Sequence, residues 1–249
     1  VTAPVTAAPV RHPWLWSVAV AVGWRAVVVV AALGLSPMAV AAFPDLGAVV
    51  VNLLACAVPL AVVARLGWWR MPWLREVRPR AWWPLAPLAV VYAARIVFGW
   101  ELGPVEAMST VVLVLVAATS EELWSRGVVQ ELLRAVRPLW RAVAVGVLFG
   151  VGHVLSGVVL GRELDYLAFQ VPHATIQGFA LAALRMHVVS IWPLVGLHAL
   201  SNLLVLAEAP GAVPVWWEAG QLLLTLAFGL WLVLRYERRP VEVSAPAGR

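Results

Sequence analysis

The chain is cut by charge, proline and glycine into about eight apolar runs, each close to the roughly 20 residues a helix needs to cross the hydrocarbon core of a bilayer. They fall near 14–33, 46–64, 82–99, 108–126, 142–160, 166–184, 188–206 and 216–234. Seven to nine such runs consume the whole 249 residues, so no second folded domain fits beside them. With 63% hydrophobic and 12% charged residues the chain is no ordinary soluble domain. The expected fold is all-α, a polytopic membrane helical bundle of about eight transmembrane helices. The fourth run is expected to continue as an amphipathic helix through Val128, Val129, Leu132 and Leu133, with Arg134 and Arg137 on its wet side, until Pro138 ends it.

The arginines test this count independently. All 18 basic residues are Arg, and fourteen of them fall on alternate loops or termini: Arg11, then Arg65 to Arg80, Arg134 to Arg141, Arg185, and Arg235 to Arg249. Only Arg162 sits on the opposite set, which carries Asp45, Glu101, Glu106, Glu163, Asp165, Glu208 and Glu218. The positive-inside rule then puts both termini in the cytoplasm of a multi-pass cell-membrane protein. The Arg-only composition, rich in Ala, Val and Trp, points to a bacterial source. Residues Val1–Pro13 read as a cytoplasmic tail without a cleavage signature, so the first span is retained, and Pro240–Arg249 reads as a polar disordered tail.

The net charge of +5 therefore describes topology and contact with anionic lipids, not binding of nucleic acid. Trp69 and Trp73 among Arg70, Arg75, Arg78 and Arg80 fit an anchor at the membrane interface. Cys56 is alone, which leaves neither a disulfide framework nor a thiolate metal site.

Against this apolar background three polar groupings stand out: Glu121-Glu122-Leu-Trp-Ser-Arg126, Phe149-Gly-Val-Gly-His153, and His198-Ala-Leu-Ser-Asn202. A charge at the centre of a membrane helix costs about 2.5 to 3.5 kcal/mol on insertion scales, so such groups face a paired, polar interior. At about 1.5 Å per residue, His153 and His198 lie about 16 and 15 Å from the cytoplasmic boundary, and Glu121 about 10 Å from it. The three share one layer in the inner half of the membrane. Residues four apart share a helix face, which pairs Glu122 with Arg126, stacks Phe149 over His153 and sets His198 beside Asn202. A turn of about 100° separates adjacent carboxylates, so Glu121 is left for the cavity. Gly146, Gly150 and Gly152 allow close helix approach.

A buried carboxylate beside an imidazole can hold and deprotonate a water, or complete a metal shell with a second imidazole. An imidazole next to an amide can donate to the oxyanion formed when water adds to a carbonyl. Thr119, Ser120, Ser125 and Ser201 lack the context of a nucleophile, and helix serines in membranes commonly bond to backbone carbonyls. His173, after Pro172, fits a packing or hydrogen-bonding role; Arg25 and Arg95 are expected to snorkel, pair or line the cavity.

At these three motifs, in this order, the chain resembles the CPBP intramembrane proteases, which include the type II CAAX prenyl endopeptidases. The resemblance spans about 108–206 as the catalytic core, with 1–107 as tail and first three helices and 207–249 as last helix and tail. It implies an intramembrane endopeptidase in which Glu121 and His153 activate water and His198 and Asn202 support the water, a metal or the oxyanion. Glu122, Arg126 and Phe149 would be structural support. It leaves open zinc held by Glu121, His153 and His198 or a metal-free glutamate mechanism. The expected partner is a peptide or protein substrate entering from the membrane or cytoplasm. Two other readings fit the residues alone: a small proton-coupled transporter, or a non-catalytic immunity or scaffold protein.

Overall fold

In a computed structural model the described residues, 10–35, 37–76, 82–159 and 161–238, are predominantly helical. The expectations made for the first residues, for Pro240–Arg249 and for Arg78, Arg80, Arg239 and Arg249 lie outside them. Each apolar run is a helix: α1 (Pro13–Leu35), α2 (Leu46–Leu66), α3 (Trp83–Phe98), α4 (Pro104–Leu132), α5 (Pro138–Val159), α6 (Leu164–Arg185), α7 (Trp192–Ala207) and α8 (Val215–Glu237). Six are long and apolar enough to cross a membrane; α3 and α7 are shorter.

Local chemistry accounts for the irregularities. The α2 helix breaks at Cys56, where Pro59 three residues on has no N–H and crowds the carbonyl of Ala55. The α3 helix starts with Pro84 in a 3-10 turn and ends in another at Phe98, closed by Gly99 at φ 110°. Within α4 the ladder widens to a π-helix over Leu123–Val129, immediately after the paired glutamates. The amphipathic extension is shorter than expected. It stops at Leu132, and Pro138 opens α5 rather than closing α4, because a proline's missing N–H costs nothing in a first turn.

The packing is that of a membrane bundle, where close approach of small residues rather than dehydration holds helices together. A Cβ on Gly150 would lie 1.9 Å from Oγ1 of Thr175, and one on Gly146 would lie 2.8 Å from the backbone nitrogen of Phe179, so α5 and α6 meet backbone to backbone. Val114 and Ala118 of α4 pack on Val195 and Ala199 of α7. Trp24 of α1 donates from Nε1 to Oγ of Ser120 at 2.8 Å. One apolar core runs from Val20 and Trp24 through Phe149 and Leu194 to Leu232, while large side chains such as Leu15, Val30, Leu164 and Leu223 point outward, as a lipid-facing surface requires.

One expected interface anchor is internal. Trp73 is buried, with its ring on Gly127 of the π-helix, and its carbonyl accepts from the Ile191 N–H at 3.0 Å. The flat surface that Gly127 leaves there draws it inward, while Trp69 stays exposed.

Candidate active site

The polar groups of α4, α5 and α7 meet inside the bundle, and α6 supplies the floor. Glu122 is fully buried, and its Oε1 accepts from Nη1 of Arg126 at 2.8 Å. The pairing read from the i,i+4 spacing is therefore present. Arg126 also donates through Nη1 to Oγ of Ser125 at 2.8 Å and through Nη2 to the Gly178 carbonyl at 3.2 Å, and its guanidinium lies 4.5 Å from the centre of the Phe149 ring. A planar cation with several fixed donors suits this position, since an ammonium could not satisfy three directions and a ring face together.

His198 is wedged between the two glutamates. Its Nδ1 lies 2.9 Å from Oε1 of Glu122 and its Nε2 3.4 Å from Oε2 of Glu121. A carboxylate only accepts, so Nδ1 carries the proton toward Glu122, and this fixes the ring's orientation. Glu121, as expected, is the more accessible carboxylate, with 15% of its side chain exposed against 0% for Glu122. The spacing argument placed Glu122 with Arg126 alone and missed its bond to His198, because that contact joins residues 76 apart in the chain.

Phe149 ties the two imidazoles together. Its ring centre is 5.2 Å from that of His153 and 5.8 Å from that of His198, and its carbonyl lies 2.9 Å from Nδ1 of His153. Arg25, an intramembrane arginine of α1, belongs to this neighbourhood. It is buried over the Trp24 ring, 4.7 Å from its centre, and lies so close to Gly152 that a Cβ there would be 2.6 Å from Nη2. It does not snorkel. Trp24 stacks on Trp124 at 5.5 Å and Trp124 on Phe149 at 6.0 Å, so a row of rings connects α1 to the site.

Asn202 stands one turn beyond His198 and lines a cavity of about 260 Å³ between α4, α6, α7 and α8, together with Ser201, His173 and Gln177. The hydroxyls behave as helix serines and threonines do: Ser125 donates to the Glu121 carbonyl, and Thr119 donates to that of Leu115 at 2.7 Å. His173 packs on Phe169, with ring centres 5.7 Å apart, which is the packing role expected of it. Arg95 is paired, with Glu208 at 2.6 Å and with Glu218.

Among the described residues no group of three or more His, Cys, Asp or Glu side chains is arranged to hold a metal ion. The set Glu121, His153 and His198 is not such a group; Nδ1 of His153 faces the Phe149 carbonyl and Nδ1 of His198 faces Glu122, which leaves Nε2 of each ring for a water or an ion.

Residues 103–204 match the family model described as type II CAAX prenyl endopeptidase Rce1-like. The motif segment is similar to that family. All three motifs, and every residue of the Glu122–Arg126–His198 assembly, lie inside the match, whereas Arg25 and Arg95 lie outside it. No curated protein and no solved structure matches the chain.

Proposed function

We propose that the protein is an intramembrane endopeptidase that hydrolyses a peptide bond with a water activated by Glu121, in the cytoplasmic half of the membrane, with both termini cytoplasmic. The observation that carries this reading is the imidazole of His198 held between a half-buried and a fully buried carboxylate. The N–H at Nδ1 is committed to Glu122, whose charge Arg126 balances, so Nε2 is the ring nitrogen turned toward Glu121.

In hydrolysis Glu121 takes one proton from the water as the water oxygen adds to the scissile carbonyl carbon. That proton passes to the amide nitrogen as the C–N bond breaks, giving a carboxylic acid and an amine, and the acid's remaining proton then moves to the amine to leave a carboxylate and an ammonium. His153 orients the water from the Phe149 side. His198 orients Glu121 through Nε2, and Asn202 donates to the tetrahedral oxyanion, a role worth most in a site closed to bulk water. No step is assigned to a metal.

The substrate is a membrane-borne or cytoplasmic peptide, and the family's prenylated C-termini are one candidate class. Native membranes containing wild type or Glu121→Gln test the reading. A peptide that accumulates uncut only with the variant supports it and names the substrate. A biological function that persists unchanged in Glu121→Gln returns the chain to a non-catalytic scaffold.

A further inference from the structure

The ends of α4, α5 and α6 on the arginine-rich side bring together basic side chains that the hydrolytic motifs do not use. A Cβ on Gly178 of α6 would lie 3.2 Å from Cβ of Phe149 in α5, so those two residues face each other. Arg141 stands two turns before Phe149 and Arg185 two turns after Gly178, and the antiparallel register sets them level on the facing sides of the two helices. Glu131, Arg141 and Tyr236 are the ionisable neighbours of Arg185. Gln130 donates from Nε2 to the Ala182 carbonyl at 2.8 Å, which draws the end of α4 against the same place.

The two arginines are held alike. Nη1 of Arg141 donates to the Arg134 carbonyl at 3.1 Å, and Nη1 of Arg185 to the Val188 carbonyl at 3.2 Å. In each, Nε is buried and has no hydrogen-bond partner among the described residues. A buried donor without an acceptor costs free energy, more so on a charged group, and a matched pair of them calls for an anion. Nε shares with Nη2 the edge of the guanidinium that receives two oxygens of a phosphate in parallel. Both residues are only half-buried, so that edge is reachable from the headgroup layer. The charge balance agrees. Arg134, Arg137, Arg141 and Arg185 are met by Glu131, 3.6 Å from Arg134, and by Glu237, which accepts from the Leu139 N–H at 3.4 Å. Trp140, beside Arg141, is 57% exposed, as a tryptophan at the membrane interface is.

We propose that Arg141 and Arg185 form a binding site for a phosphate group of net negative charge at this membrane boundary. The headgroup of an anionic lipid supplies such a group, and so does inorganic phosphate. A zwitterionic headgroup suits the site less, because the ammonium beside its phosphate meets the same arginines. A phosphate bound there ties the start of α5 to the end of α6, and the site is independent of the endopeptidase reading.

The test melts the full-length protein in nanodiscs under three conditions: phosphatidylcholine alone, phosphatidylcholine with phosphatidylglycerol, and phosphatidylcholine with inorganic phosphate replacing chloride at equal ionic strength. Phosphatidylglycerol or inorganic phosphate should raise Tm of the wild type by about 5 °C. A rise with the lipid alone identifies the headgroup as the source, and a rise with inorganic phosphate identifies a site open to the free ion. Arg141→Gln and Arg185→Gln should each lose most of that rise. Arg137→Gln, which removes the same charge from an exposed position nearby, should keep it. An Arg185→Gln protein that does not fold leaves Arg141→Gln and a measurement on the wild type, in which phosphatidylglycerol with a photoreactive headgroup should crosslink to segments 134–141 and 185–188. No rise with either phosphate source, an equal loss in Arg137→Gln, or crosslinks confined to other segments would overturn the site.

Discussion

Nδ1 of His198 lies 2.9 Å from Oε1 of Glu122, the same oxygen that receives Nη1 of Arg126 at 2.8 Å. The second glutamate is therefore both the counter-ion of the arginine and the group that orients the imidazole. The two glutamates should fail differently. Glu121→Gln should abolish turnover with little change in thermal stability, because the amide cannot take a proton yet fills the same space. Glu122→Gln leaves the Arg126 charge uncompensated and should cost about 3 to 5 kcal/mol. Melting curves and turnover measured side by side check this, and equal loss of fold in both variants would make the whole cluster structural.

Asn202→Ala should lower kcat by about 100 to 1000-fold with KM nearly unchanged, as removal of an oxyanion donor does. A rise in KM at constant kcat would make Asn202 a substrate-binding residue only.

Purified, active protein should contain substoichiometric zinc and should keep its turnover after treatment with a chelator. Elemental analysis decides the point. About one zinc per chain, lost together with activity and restored with it, would establish a metal enzyme whose ligands rearrange from the positions seen here.

Gly150→Ala should lower the melting temperature sharply, since the added carbon would fall 1.9 Å from Oγ1 of Thr175 and 2.9 Å from the Val171 carbonyl. Gly220→Ala in α8 is the matched control: nothing lies within 4 Å of its Cβ, and alanine gains up to about 1 kcal/mol in a helix interior. Similar effects at both positions would mean that α5 and α6 do not approach as closely as described.

Single-cysteine variants at Arg75 and Arg162, in a background with Cys56 replaced, should label from opposite faces of the membrane. Labelling of both from one face would refute the proposed topology.

Much of this arrangement is legible in the sequence because it is local. The eight helices follow from apolar run length, and the Glu122–Arg126 pair and the Phe149–His153 stack follow from a spacing of four residues. The glycines of α5 announce a close contact, though not that Thr175, Phe179 and Gly178 supply its other side. What the sequence hides is set by three-dimensional packing. Trp73 has the composition of an interface anchor and yet fills the space above Gly127. Arg25 lies about a hundred residues before the motifs, with no spacing to connect it to them, and still reaches Gly152. The π-helix has no periodicity of its own, so the extension of α4 reads as a plain amphipathic helix until its hydrogen bonds are seen.

The placement of Glu122 and Arg126 on one helix also bears on how the chain enters the bilayer. Two separate charges on α4 would each oppose partitioning from the insertion machinery, at about 2.5 to 3.5 kcal/mol apiece. Because the glutamate and the arginine are one turn apart, α4 brings its own neutralising partner and does not have to wait for α6 or α7 to be synthesised. The remaining links, to the Gly178 carbonyl and to His198, form as those later helices arrive. The polar cluster is thus completed in the order in which its helices are made, and the imidazole that finishes it comes last.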